Sequence, residues 1–402
     1  MTLMQLNFDK ITCLCGSQNF DKMSAVPSLA PFSEEVCSFL ADLSGALLSD
    51  QEAKAYSDVI TFAFFCRKAN IARIKESYRD RVKGRLGRGL TFHIAPSNVP
   101  INFAYSMAAG LLSGNACIVK VSGKPFPQTA IVCRAIHKAL DLNAGLVESI
   151  AVVRYSNDAE ITEYFSSLCA VRVIWGGDET IAEIRKAALR PRSFDITFAD
   201  RYSICVIDSA NYLKTSDLQR IAQDFYNDTY LYDQNACSSP RMILWLGESS
   251  VTTKAKEVFW GEMHRFLIGK YTVEPEIAVN KLLADYRCAV ELENPVLEPA
   301  ADNLIRRIHV RKLPANLPDY RCAGGSFIEY NETSLDALSD IVTEKYQTLS
   351  YIGLDPDQIR GWVVKAGLKG IDRIVPVGRT ADFSLIWDGY DLILTMSRII
   401  GG

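Results

Sequence analysis

The stretch GLTFHIAPSNVPINFAYSMAAGLLSGNACIVKV, Gly89 to Val121, decides the fold class. Its opening, Gly89–Ala95, is a short apolar run that reads as a buried strand, and PSNVP after it is a turn. Pro100–Leu112 is apolar almost all round, which predicts a helix enclosed by other elements. Ser113-Gly114-Asn115 ends that helix by glycine chemistry, and Cys117–Val121 is the next strand. Strand, buried helix, strand is the repeating unit of a parallel sheet covered on both faces.

Downstream the alternation continues. A helix is predicted from about Pro127 to Leu140, a strand at Ile150–Arg154, a helix near Ala159–Ser167 and a strand at Val171–Trp175. Gly176-Gly177-Asp178 then turns the chain into a helix over Glu179–Leu189. Four apolar strands alternating with helices predict an α/β fold with a doubly wound, Rossmann-type sheet. Beyond Asp200 a second α/β block opens, with strands at Ser203–Ile207, Met242–Leu246, Arg306–Val310 and Ser326–Tyr330. Helices near Ser216–Tyr230, Lys254–Leu267 and Glu276–Glu291 separate them. The expected organisation is residues 1–200, residues 201–370, and an aromatic, apolar segment 371–402. That last segment returns onto the rest of the chain or onto a second subunit. Upstream, Gly84, Gly87 and Gly89 lie in the wrong order for a dinucleotide fingerprint and precede the strand. With Arg81, Lys83, Arg85 and Arg88 around them they read as a flexible basic loop.

Composition narrows the function classes. A chain of 402 residues with 48% hydrophobic content can bury a large core. Net charge is −3, and the absence of any Lys/Arg run argues against nucleic acid as a partner. Eleven cysteines without a C-x-x-C pair and only four histidines argue against a zinc site and suit a reducing cytosol. The start, MTLMQLNFDKITCLCGS, lacks the pattern of a secretory leader, and no apolar segment is long enough to span a bilayer. A soluble, cytoplasmic protein is expected.

Three places carry chemistry. Cys237, in Asp233-Gln234-Asn235-Ala236-Cys237-Ser238-Ser239-Pro240-Arg241, sits among small and polar residues, where a thiol is accessible and can be activated as a nucleophile. Cys117, Cys133 and Cys205 lie in apolar surroundings and read as inert. Asn98 follows a strand at the end where open α/β sheets bind ligands, although asparagine is also an ordinary turn residue. Gly176-Gly177 opens a helix, where free N–H groups attract phosphate, and is equally readable as a plain glycine turn.

Together these segments resemble the aldehyde dehydrogenase superfamily, and within it the LuxC-type fatty acyl-CoA reductases. The superfamily's proline-x-asparagine turn stands as Pro96-Ser97-Asn98. Its glycine-asparagine-hydrophobic-lysine segment stands as Gly114 to Lys120, and its cysteine after a glutamine as Cys237 after Gln234. The LuxC flavour comes from HIAPSNVP, DQNACSSPR, RIVPVG and DFSLIWDGYDLI. The resemblance implies an aldehyde dehydrogenase-like fold, with a cofactor domain followed by a catalytic domain. It implies that Cys237 takes the acyl group of a fatty acyl thioester, that Asn98 holds the oxyanion, and that CoA leaves. It also implies a nicotinamide cofactor held by Lys120, Ser122, Lys124, Gly176 and Gly177, with no metal. Aldehyde is released by reduction of the thioester.

Departures from the superfamily pattern sharpen the expectation. Where aldehyde oxidisers carry a glutamate that activates water, this chain has Thr197-Phe198-Ala199-Asp200-Arg201. Without that base the acyl-enzyme resists hydrolysis, which favours reduction. Where NAD-using relatives carry a ribose-binding glutamate, Gly123 and then Lys124 stand here, favouring NADPH. Relatives' Ser is replaced by Gly177, and the Glu-x-Phe-Gly segment survives only as Arg321-Cys322-Ala323-Gly324. The expected substrate is fatty acyl-CoA or an acyl-protein thioester, with an acyl-protein synthetase as partner and a homo-oligomeric state. The alternatives are an acyl-phosphate reductase of the same superfamily, and a cysteine acyltransferase or thioesterase without hydride transfer.

Overall fold

The computed structural model describes residues 8–401. The first seven residues, on which the expectation of no leader partly rests, and Gly402 lie outside the described residues. The described chain packs as two units. One takes the residues up to Ala199 together with those from Leu385 onward, and the other is Asp200–Ser384.

The first unit is built on six strands: β1 (Thr12–Gly16), β2 (Leu90–Ile94), β3 (Ala116–Lys120), β4 (Ile150–Arg154), β5 (Val171–Trp175) and β6 (Phe194–Phe198). Their order across the sheet is β1-β4-β3-β2-β5-β6, with β1 antiparallel to β4 and all other pairs parallel. β2 and β5 are buried at every position, as strands covered on both faces must be. The helix Asn102–Leu112 is buried from Phe103 to Leu112, which is why its sequence has no polar face. Chain order reverses between β2 and β5, since β3 and β4 are laid down to one side and β5 and β6 to the other.

Asn115 explains why the turn into β3 needs its particular residues. Its Oδ1 accepts the N–H groups of Arg88 (2.6 Å) and Gly89 (3.2 Å), and its Nδ2 donates to Gly110 O (3.2 Å) and Met396 O (3.0 Å). Gly114 beside it has φ +87°, and a Cβ there would stand 2.0 Å from Leu29 O. Only glycine fits.

The basic stretch before β2 is not a flexible loop. Arg85–Gly87 pairs antiparallel with Ser397–Ile399. Arg85 Nε donates to Ser397 Oγ (2.8 Å) and Arg88 Nε to Thr395 O (3.0 Å). The partner strand lies 312 residues away in sequence for Arg85, so local pattern alone cannot reveal it. The helix expected over Glu179–Leu189 ends at Ile184. Beyond it the backbone tightens into i→i+3 bonds, Lys186 N to Glu183 O and Ala187 N to Ile184 O, ahead of Pro191.

The second unit carries seven strands: β7 (Tyr202–Asp208), β8 (Pro240–Leu246), β9 (Val296–Leu297), β10 (Arg306–His309), β11 (Ser326–Glu332), β12 (Tyr346–Ile352) and β13 (Arg373–Pro376). Their order is β9-β10-β11-β8-β7-β12-β13, parallel throughout except β9 against β10. Apolar clusters cover both faces of this sheet. One gathers Ile204, Val206, Met242, Leu244 and Leu349, and the other Cys205, Ile207, Phe225, Ile243 and Trp245. The central strands alternate one residue to each cluster, which is the two-residue period of a strand buried on both faces. β12 carries one extra residue against β7, between Tyr346 and Leu349.

Candidate active site

In the first unit the residues singled out by sequence follow the carboxyl ends of neighbouring parallel strands. Asn98 lies in the exposed turn after β2, and Gly176-Gly177 lies directly after β5. β2 and β5 flank the point where chain order reverses, and in an open α/β sheet the crevice outside those strand ends is where ligands bind.

Lys120 closes β3. Its Nζ lies 4.5 Å from the centre of the Tyr155 ring and 3.4 Å from Asn157 Oδ1. Burial lowers its pKa from the ordinary lysine value, as expected of an ammonium with one long hydrogen bond and an aromatic face. Ser122 Oγ accepts the N–H of Lys124 (3.1 Å), and its carbonyl accepts from Arg154 Nε (3.3 Å). Lys124 itself is exposed. No atom lies within 4 Å of where a Cβ would stand on Gly123 or Gly177, so backbone there is open to approach by a ligand. Asp178 and Glu179 place two carboxylates in the first turn of the helix that follows, which weakens that helix end as an anion site. The strand ends fit a dinucleotide through Lys120 and open backbone more than through a helix dipole.

His93 belongs to the core of this unit. Its ring nitrogens meet Ser106 Oγ (2.7 Å) and Thr91 Oγ1 (2.9 Å), and Trp175 Nε1 donates to the same Ser106 Oγ (3.0 Å). Burial pushes its pKa down to about 3, so it is a neutral hydrogen-bonding group rather than an acid-base catalyst.

Cys237 belongs to the second unit, in the loop that leads into β8. It is partly exposed, whereas Cys117 and Cys205 are fully buried and burial pushes both thiols up to about 12. The loop is held by a residue whose role sequence does not disclose. Gln234 is fully buried. Its Nε2 donates to Pro240 O (2.9 Å) and Ser326 O (3.1 Å), and its Oε1 accepts from Gly325 N (3.0 Å) and Ser326 N (3.1 Å). One amide thereby ties both ends of the Cys237 loop to the start of β11.

The backbone is correspondingly unusual. Asp233 and Gln234 are successive non-glycine residues with φ of 50° and 60°, a left-handed pair that persists only where the surroundings enforce it. Tyr271 OH donates to Asp233 Oδ1 (2.7 Å), and Gly324 N to Asp233 O (2.9 Å). A Cβ on Gly325 would lie 2.4 Å from Tyr230 OH. The Gly324-Gly325 pair thus has a packing purpose.

Around the sulfur, Gln347 Nε2 donates to Cys237 Sγ at 3.5 Å, and Ser203 Oγ donates to Cys237 O at 2.7 Å. Arg373 lies within electrostatic reach of the thiol. In the stretch where aldehyde oxidisers have a glutamate, Asp200 is paired with Arg321 at 2.6 Å. Burial alone would raise the Asp200 carboxyl, but the Arg321 hydrogen bond and charge outweigh it and hold the group below its usual range. Among the described residues no group of three or more His, Cys, Asp or Glu side chains is arranged to hold a metal, and no helix is long and apolar enough to cross a membrane.

A profile of the family described as acyl-CoA reductase (LuxC) matches residues 67–268. Long-chain acyl-protein thioester reductase 2 of Photobacterium leiognathi is 32% identical over 168 residues, covering 41% of this chain and 33% of that protein. The long-chain acyl-protein thioester reductase of Vibrio harveyi is 32% identical over 176 residues, covering 42% and 35%. The matched part of the chain thus spans about a third of the length of these relatives. Among solved structures, an NAD-dependent benzaldehyde dehydrogenase from Corynebacterium glutamicum superposes with a TM-score of 0.62 over 95% of this chain and 87% of that one, at 14% identity. The fold is that of the aldehyde dehydrogenases.

Proposed function

Because the chain belongs to the acyl-CoA reductase (LuxC) family, we propose that it reduces a long-chain acyl thioester to the aldehyde, passing the acyl group through Cys237. The observation that carries this is the setting of that thiol. It is reachable, it accepts a hydrogen bond from Gln347, and it sits on a loop locked by four hydrogen bonds to Gln234, while Cys117 and Cys205 are sealed in the core.

The Cys237 thiolate attacks the thioester carbonyl, and the carrier thiol leaves as the acyl-enzyme forms. Asn98 supplies a side-chain amide for the oxyanion. A reduced nicotinamide dinucleotide, when bound, supplies the hydride that the side chains lack. Lys120 holds its ribose, with Ser122, Lys124 and the Gly176-Gly177 backbone beside it. Lys124, with Gly123 in place of a carboxylate, favours NADPH over NADH. Collapse of the thiohemiacetal returns the thiolate and frees the aldehyde. Asp200 is tied to Arg321, so no carboxylate in that stretch is at liberty to activate water, and hydrolysis stays slow.

The relatives' names put the acyl group on a protein, whereas the sequence alone favoured CoA. Acyl-protein is therefore the preferred carrier here, with acyl-CoA as a smaller surrogate and an acyl-protein synthetase as the supplier. Assays pairing acyl-protein, acyl-CoA and acyl phosphate of one chain length with NADPH and with NADH test the proposal. Aldehyde formed in step with dinucleotide oxidation supports it. Fatty acid released without oxidation would assign a thioesterase instead, and turnover of the acyl phosphate alone would assign the other reductase branch.

A further inference from the structure

The hydrogen bond to the Cys237 sulfur comes from an amide, and that amide is built into place. Gln347 is 1% exposed and sits where β12 carries its extra residue against β7, between Tyr346 and Leu349. A bulge re-aims a side chain that a regular strand would point elsewhere. Thr348 Oγ1 donates to Gln347 Oε1 at 3.4 Å, which fixes the oxygen and leaves the NH2 end for Sγ. Thr348 N donates to Ser203 Oγ (3.2 Å), and that hydroxyl donates in turn to Cys237 O (2.7 Å). The bulge and the nucleophile loop are thereby joined through backbone as well as side chain.

We infer that Gln347 is the residue that holds Cys237 as a thiolate, with the Arg373 guanidinium behind it as the neutralising charge. Arg373 extends from β13, whose backbone at this residue pairs with Thr348. It is anchored by the carbonyls of Thr380 (2.6 Å), Arg379 (2.9 Å) and Asp382 (2.5 Å), so its charge is fixed in position. An amide N–H and a cation are what a sulfur anion needs in a half-buried site, since each favours the charged form against desolvation.

Charged groups also flank this pair: Arg201 donates to Tyr346 O (2.9 Å), next to Gln347, and is ion-paired with Asp372, next to Arg373. Arg373 interacts electrostatically with Asp382, Asp228 and Cys237, and is repelled by Arg379. Asp228, from the helix Leu218–Asp228, is buried and accepts Gly378 N (2.6 Å) and Thr380 N (3.0 Å). Its carboxyl is pushed up to about 7, by burial first of all. At neutral pH Asp228 therefore cancels only part of the Arg373 charge.

This inference rests on the reading of Cys237 as the nucleophile, but its test does not need turnover. The rate of iodoacetamide labelling at Cys237, resolved from the other cysteines by peptide mass mapping, is measured against pH for the whole chain. In the unsubstituted protein the thiol should ionise below the ordinary value of about 8.5. Gln347→Leu should move the midpoint up by about one pH unit, lowering labelling at pH 7 by about tenfold and leaving the alkaline plateau unchanged. Gln347→Glu, which keeps the shape and serves as the second variant if the leucine variant does not fold, should move it further in the same direction. Superimposable profiles would overturn the inference, as would a lower plateau with an unmoved midpoint, which would make Gln347 a packing residue. If the shift is found and no acyl thioester is reduced, the proposed function fails and this assignment stands.

Discussion

The two sheets present their candidate functional residues at opposite kinds of strand end. In the first unit Asn98, Lys120, Ser122 and Gly176-Gly177 follow the carboxyl ends of β2, β3 and β5. In the second, Cys237 precedes the amino end of β8, on a loop with two left-handed residues and a buried glutamine clasp. A site at a carboxyl end comes with the βαβ pattern itself, because strand, turn and helix follow one another in sequence. A site at an amino end must be fastened from elsewhere. The contacts that fasten Cys237 span 92 residues to Ser326 and 110 to Gln347.

Breaking each end should therefore have different consequences. The largest effect belongs to Cys237→Ala, which should abolish both acyl labelling and dinucleotide oxidation while the folded circular dichroism spectrum is retained. Asn98→Ala should lose roughly 100- to 1000-fold in kcat, as removal of one oxyanion donor does elsewhere. A loss below about tenfold would reduce Asn98 to a turn residue. Gln234→Leu strands up to four backbone groups, and the denaturation midpoint should report a stability loss on the order of 3 kcal/mol. An unchanged midpoint would show that the loop does not depend on that clasp. Lys120→Met should raise the KM for the dinucleotide by about tenfold with little change in kcat, because the lost contact is to the cofactor and not to the acyl group. If KM is unmoved and kcat falls, Lys120 does not serve the ribose.

A further effect is a pH slope. Burial raises the Asp228 carboxyl to about 7, above its unfolded value of about 3.9. The folded state therefore holds that proton more tightly than the unfolded chain does. The associated stability is present below about pH 4 and is lost as pH rises through about 7. Asp228→Asn should flatten the stability profile over that window, as read by denaturation at several pH values. A profile that keeps its slope in the variant would place the titration elsewhere.

What the sequence revealed divides along the same line. β4 and β5 carry the predicted bounds, and β2 and β3 differ by one residue at each end, because buried parallel strands are short unbroken apolar runs. β1, β6, β9, β12 and β13 are not evident from local pattern. Apart from β9, their sequences alternate or include polar residues such as Asp195, which forms a two-pronged ion pair with Arg172, and Gln347. Local patterns placed Asn98, Lys120 and the glycines on the sheet edge where the structure has them. They also marked Cys237 as different from Cys117 and Cys205. They did not reveal Gln234 as an anchor, Gln347 as a donor to the sulfur, or Arg85 as a partner of the C-terminal strand. In each case the partner is distant in sequence, and nothing local distinguishes such a residue from a polar surface group.

The most direct test is to incubate the protein with a long-chain acyl thioester in the absence of dinucleotide and map the acyl adduct by mass spectrometry. The predicted result is one acyl group on the peptide containing Cys237, discharged as aldehyde when NADPH is added. An adduct on another cysteine, or aldehyde formed by the Cys237→Ala variant, would contradict it.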